Sequence, residues 1–310
     1  MTSPPPATNC LDHIIHLSPP GRLHETVKQF EKLGFAVTPG GKHADGLTEN
    51  ALVVLSDGVY LELIAFIHHP DFYAPGSAER DSRENHWWAK KSSGWIDFCF
   101  LDLLNASTME DKDSKDENGD SDASNRSSLM NLINSRYQSM EGRECPSYVS
   151  EIYGGRIRPD GIEMKWMVTF PPLEKRGVLP FFCRDLTSRV LRVPIDPLIY
   201  VEHPSTAMGV AFVRISCPET GLDDVLRRLS YAIGSVPEKT DGQSGIGYEW
   251  ELVAPNAING AKPRLILVPS TNTYTDREGI FEVGIFAKEV EGNKSNASNT
   301  VEGSLVWVKV

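Results

Sequence analysis

The chain has 310 residues, 40% hydrophobic and 24% charged, with a formal net charge of −11 and a pI near 5.3. That length and balance suit one large core or two smaller ones and exclude fibrous and wholly disordered classes. The excess of acid over base argues against a nucleic-acid binder, which needs Lys and Arg clustered on one face.

Cys10, Cys99, Cys145, Cys183 and Cys217 are widely spaced with no CxxC pair, as expected of reduced thiols, and Cys99 and Cys183 sit in apolar runs as core residues. Residues 1–9 are Pro-rich and lack the basic start and apolar stretch of a secretory signal, and no apolar run is long enough to span a bilayer. The expected location is therefore the cytoplasm, with no membrane partner.

In chain order, Leu11 to Leu17 reads as a strand, and Arg22 to Leu33 as a helix with Leu23, Val27, Phe30 and Leu33 on one face and Gly34 as its stop. Phe35 to Thr38 reads as a second strand, followed by a loop from Pro39 to Glu49. The runs Asn50 to Leu55 and Val59 to Phe66 are joined by Ser56-Asp57-Gly58, a hairpin signal. The order is β-α-β-β-β.

The order recurs. Trp95 to Leu101, a helix marked by Leu129 to Met140, and the runs Glu151 to Ile157, Glu163 to Phe170 and Leu179 to Cys183 form a second copy, with Pro159-Asp160-Gly161 turning its first hairpin. Gly209 to Ser216, a helix carrying Leu222, Val225, Leu226 and Leu229, and the runs Tyr248 to Ala254, Arg264 to Val268 and Ile280 to Ala287 form a third. Thr108 to Asn125 is almost without apolar residues and is read as a disordered acidic insertion. The Pro-containing segment Arg184 to Ala207 divides residues 1–190, holding two modules, from 191–310, holding the linker and the third. The fold class is α+β.

Leu11-Asp12-His13-Ile14-Ile15, Gly34 to His43, Asn50-Ala51-Leu52 and Tyr60-Leu61-Glu62-Leu63-Ile64 resemble the opening module of glyoxalase-like proteins of the vicinal oxygen chelate superfamily. Gly154 to Gly161, Trp166 and Leu179-Pro180-Phe181-Phe182 resemble the second module, so the resemblance spans about Cys10 to Asp185. It implies that the modules curl into an open barrel, with a divalent metal (Zn, Fe, Ni or Mn) on a His and a Glu from each. His13 and Glu62 match the first pair. In the second, aligning the opening strands puts Asp97 at the position of His13, while Phe181 falls where the second Glu is expected, leaving at most three protein ligands. Imidazole and carboxylate suit such metals and leave positions for substrate, and strand alternation lets His13 and Glu62 share the cleft face. A hydrogen-bonded core histidine is the alternative for His13.

His43, in a glycine-rich turn, is the candidate acid or base; Asn50, Tyr60, Trp95 and Trp166 are candidate pocket residues. Arg156, Arg158 and Asp160 read as a structural ion pair at a hairpin, and Glu282 as a solvated edge-strand carboxylate or, if modules one and three form the cleft, as the missing ligand. The resemblance implies a small-molecule-handling protein, either a metal-assisted lyase or isomerase or a metal-free binding or sequestering protein. Module three is expected to pack beside the cleft or to pair with a second subunit as a homodimer.

Overall fold

Eight consecutive buried residues, Leu11–Ser18, form β1. In the computed structural model, which describes residues 7–104, 128–142, 148–158, 160–242, 245–258, 260–270, 278–290 and 303–310, this strand is central to an eight-stranded sheet. The stretch from Thr108 to Asn125 lies outside the described residues, as does the polar stretch from Glu291 to Glu302.

After β1 come α1 (Leu23–Lys32), β2 (Thr38–Lys42), β3 (Thr48–Val54) and β4 (Tyr60–Phe66). The second strand begins later than its apolar run predicts. Phe35 is buried in the core beneath α1, and the pairing starts at Thr38 and runs through Pro39-Gly40-Gly41. Pro39 is tolerated because β2 ends the sheet order, where a missing ladder N–H costs least. After α2 (Ala78–Glu84), the second module comprises β5 (Gly94–Leu101), α3 (Leu129–Glu141), β6 (Ile152–Ile157), β7 (Glu163–Thr169) and β8 (Phe181–Asp185).

The sheet order is β2-β3-β4-β1-β5-β8-β7-β6, so the modules meet at the antiparallel β1–β5 pair. The two ends of the sheet curl toward each other. His43 bridges Arg156, and Ala44 N–H donates to Gly155 O at 3.1 Å.

A short α4 (Arg189–Arg192) follows β8, and then β9 (Ala207–Pro218), α5 (Leu222–Ile233), β10 (Glu238–Gly242), β11 (Gly245–Glu251), β12 (Arg264–Ser270), β13 (Gly279–Ala287) and β14 (Ser304–Lys309). They form a six-stranded sheet ordered β10-β11-β12-β9-β13-β14. Here the structure corrects the strand assignment of module three. The strand parallel to β9, as β4 is to β1, is β12 and not β13. Instead, β13 runs antiparallel to β9 as β5 does to β1, and β14 runs parallel to β13 as β8 does to β5. The second sheet is therefore a third module followed by half of a fourth.

One core joins the two sheets. Leu11, Ile14 and Phe98 on the outer face of the first sheet belong to the same apolar cluster as Val213, Val283 and Leu305 of the second, with Phe30 of α1, Ile133 of α3 and Leu229 of α5. The inner face of the first sheet carries a separate cluster including Ile15, Cys99, Val168 and Phe181. The β3–β4 hairpin also docks on the second sheet. Asp57 Oδ2 accepts from Val210 N–H at 2.8 Å, and Asp57 N–H donates to Met208 O at 3.1 Å. Among the described residues, no helix is long and apolar enough to cross a membrane.

Candidate functional site

The curled sheet encloses a cavity of about 160 Å³. Alternation along β1 and β4 directs His13, Tyr60 and Glu62 to its wall. Glu62 stands between two imidazoles: its Oε2 is 3.7 Å from His13 Nε2, and its Oε1 is 3.6 Å from His43 Nε2. Asn50 on β3 donates from Nδ2 to Glu62 Oε1 at 2.6 Å, and its own Oδ1 accepts from Arg156 Nη1 at 2.6 Å. His43 is fixed from behind by a 2.8 Å contact between Nδ1 and Thr48 Oγ1. When Nδ1–H is the donor there, the Nε2 lone pair faces Glu62. Burial lowers the pKa of His43 against the opposing pull of Glu62.

A buried ionic cluster closes the end of the cleft near Tyr60. The β1–β5 register shifts between Leu11 and His13, leaving Asp12 as the extra residue of a bulge. Asp12 Oδ2 is 3.0 Å from His13 Nδ1, and the same carboxylate meets Arg189 Nη1 at 2.6 Å and Arg192 Nη1 at 2.9 Å. Burial opposes its charge, but Arg189 and Arg192 outweigh that and hold its carboxyl well below the usual range. Arg192 also donates to Tyr60 OH at 2.8 Å, and Tyr60 stacks on the His13 ring with centroids 4.6 Å apart. Sequence reading placed Arg189 and Arg192 in a linker. Their only sequence signal was two arginines three apart beside an acid, Asp185, which Arg192 also binds.

The remaining candidates separate. Trp166 lines the cavity, its ring centroid 6.2 Å from that of His43. Trp95 does not. It packs on the outer face of the sheet against His16 and Phe30, and its Nε1–H donates to Ser304 O at 3.3 Å, because the register shift between Ile15 and His16 turns this end of β5 toward the second sheet. Asp97 is also misplaced as a ligand. It is the counterpart of His13 by register, two residues before Cys99 as His13 is two before Ile15, but it does not line the cavity: it accepts from Trp88 Nε1–H at 3.1 Å and has a carboxyl that burial pushes up to about 6. Phe181 meets His13 edge-on, at 5.3 Å between centroids. Arg158 and Asp160 form the hairpin ion pair at 2.7 Å, but Arg156 turns into the cleft. Glu282 lies on an interior strand, paired with Arg214 and Ser304.

Two donor sets bear on a metal. Asp12, His13 and Cys99 each bring one ligand atom within 4.8 Å of the others. Asp12, however, is already bound by two guanidinium groups, and burial raises the Cys99 thiol well above its ordinary range, which opposes the thiolate a metal needs. His13 Nε2 and Glu62 fit better. Two donors about 2.1 Å from one tetrahedral ion stand about 3.4 Å apart, close to the 3.7 Å found here. The Nδ1 contact with Asp12 gives His13 the carboxylate support that metal-bound histidines use.

A family model and one solved structure agree with this architecture. The family model described as Glyoxalase-like domain matches residues 11–232. A hypothetical protein from Staphylococcus aureus is similar along 97% of this chain and 99% of its own, at 12% identity and a TM-score of 0.58. A xylose isomerase-like TIM barrel/4-hydroxyphenylpyruvate dioxygenase fusion protein is similar over 93% of this chain and 38% of its own, at 12% identity and a TM-score of 0.46. A mutant 4-hydroxymandelate synthase from Streptomyces coelicolor is similar over 92% of this chain and 72% of its own, at 11% identity and a TM-score of 0.44. No curated protein matches. With more than half of its length matched by the family model, and with paired modules curled around a cleft, the chain belongs to the Glyoxalase-like domain family.

Proposed function

We propose that the cleft is a small-molecule site for proton-transfer chemistry of the isomerase or lyase kind, with His13 and Glu62 as the pair that holds a divalent ion. The observation that carries this is the placement of one carboxylate, Glu62, between the Nε2 atoms of His13 and His43 inside a largely apolar cavity. When bound, the ion would supply Lewis-acid polarisation of a substrate oxygen. The chain's own residues do the rest. His43, neutral and oriented by Thr48, takes a proton at Nε2 and returns it, while Asn50 fixes one oxygen of Glu62. Trp166, Phe170 and Phe181 wall the cleft and exclude water.

Metal analysis after incubation with Zn²⁺ and with Mn²⁺, followed by desalting, tests this reading. About one equivalent is expected in the unaltered protein, with loss in His13→Ala and in Glu62→Ala and retention in His43→Ala. Metal-replete protein that carries none, or carriage that survives both ligand substitutions, overturns it.

A further inference from the structure

Arg156 is 5% exposed and lies across the closing seam of the barrel, beside Gly40 and Gly41. A Cβ on Gly40 would stand 2.0 Å from Asn50 Oδ1 and, at 2.4 Å from Arg156 Nη1, would also displace the guanidinium. The glycines thus make room for Arg156 rather than for a ligand. Yet this buried cation has no carboxylate within ion-pairing distance among the described residues. Among the described residues its side chain makes one hydrogen bond, to the neutral amide of Asn50, which separates it from Glu62. Arg156 lines the cavity, and none of its nitrogens is both sealed from solvent and without a partner. A largely buried cation whose nearest opposing charge, Glu62, is held off by an intervening amide is costly, and a guanidinium fork matches a carboxylate in shape.

Beside the polar groups of the wall, among them His13, His43, Asp45 and Glu62, lies a surface of different chemistry. Trp87, Trp88, Trp166, Val168, Phe170 and Phe181 supply an apolar, mostly aromatic surface. The cavity of about 160 Å³ also limits the body of the ligand, since a cavity of about 150 Å³ accommodates benzene.

We infer that the cleft takes a monocarboxylate with a compact apolar body of about one ring, its carboxylate on Arg156 and its body against the tryptophan and phenylalanine wall. This rests on the reading of the cleft as a small-molecule site and names the class of molecule it holds.

Phenylacetate, phenylacetamide and acetate serve as probes, titrated into the metal-replete protein by calorimetry and by the fluorescence of the wall tryptophans. Phenylacetate is expected to bind saturably, the isosteric amide about tenfold more weakly or worse, and acetate more weakly still because it lacks the body. Arg156→Gln should abolish the preference for acid over amide, and Arg156→Lys should retain part of it. Equal affinity for acid and amide in the unaltered protein overturns the inference, and that comparison does not depend on either variant folding. A preference that survives Arg156→Gln also overturns it. If metal binds as proposed and neither aromatic probe binds, the inference fails and the proposed function stands. If phenylacetate binds with the expected preference and no metal is taken up, the inference stands and the metal reading fails.

Discussion

Asp12 is fully buried and holds two guanidinium groups and one imidazole. Its carboxylate orients His13 through Nδ1 and leaves Nε2 facing Glu62. Removing one member of a buried ionic cluster leaves its partners uncompensated, at a cost of about 3–5 kcal/mol. Asp12→Asn is therefore expected to destabilise the fold by roughly that amount, moderated by the hold Asp185 keeps on Arg192. Urea denaturation checks this as a lower midpoint at unchanged slope; a change below about 1 kcal/mol would mean that the arginines find other partners. The position of His13 and Glu62 on the cleft was legible through the resemblance of their strands to the opening glyoxalase-like module, with which strand alternation is consistent. Asp12 was not, since alternation alone sends it to the opposite face from His13 and only the bulge brings the two together. Arg192 was less legible still, because it lies 180 positions from Asp12 and no local pattern records that contact.

Among the elements, the strongly periodic ones were readable: β1, α1, β4, β5 and β7 lie close to their expected places. The edge strand β2 was not, because its Pro-Gly-Gly run is turn chemistry in isolation and becomes strand only through pairing with β3. The hairpin at Asp57-Gly58 was predicted from its turn residues, with Gly58 at φ +79°. Its docking role was not, since that depends on Val210 and Asn256 of distant segments. Burial raises the Asp57 carboxyl from 3.8 to about 7, against the pull of the Val59 and Val210 N–H donors. The folded chain thus holds this proton more tightly than the unfolded chain. The associated stability is full below pH 3.8 and is lost as pH rises through about 7. Asp57→Asn, which stays neutral, should gain stability relative to the parent across that window. Urea midpoints at a series of pH values report the difference, and a gap that does not vary with pH contradicts the assignment.

For the whole molecule, the repeat of modules was visible from periodicity, but their count was not. Ile280 to Ala287 looked like the end of module three because its Ile-Phe-Glu-Val resembles Tyr-Leu-Glu-Leu at residues 60–63, whereas its antiparallel pairing with β9 makes it the start of another half. The expected division near residue 190 can be placed on the fold. It falls within α4, between two arginines that bind Asp12, and the apolar core continues across it.

The half-module also bears on stoichiometry. In the first sheet, the far wall of the cleft is built by β6 and β7, which carry Arg156 and Trp166. The described part of the second sheet stops at β14, the counterpart of β8, and so has no strands in those two positions. Among the described residues, the ends of the first sheet meet around a cavity. The cleft that carries both walls should therefore saturate with phenylacetate at about one molecule per chain, read as the stoichiometry of the calorimetric isotherm.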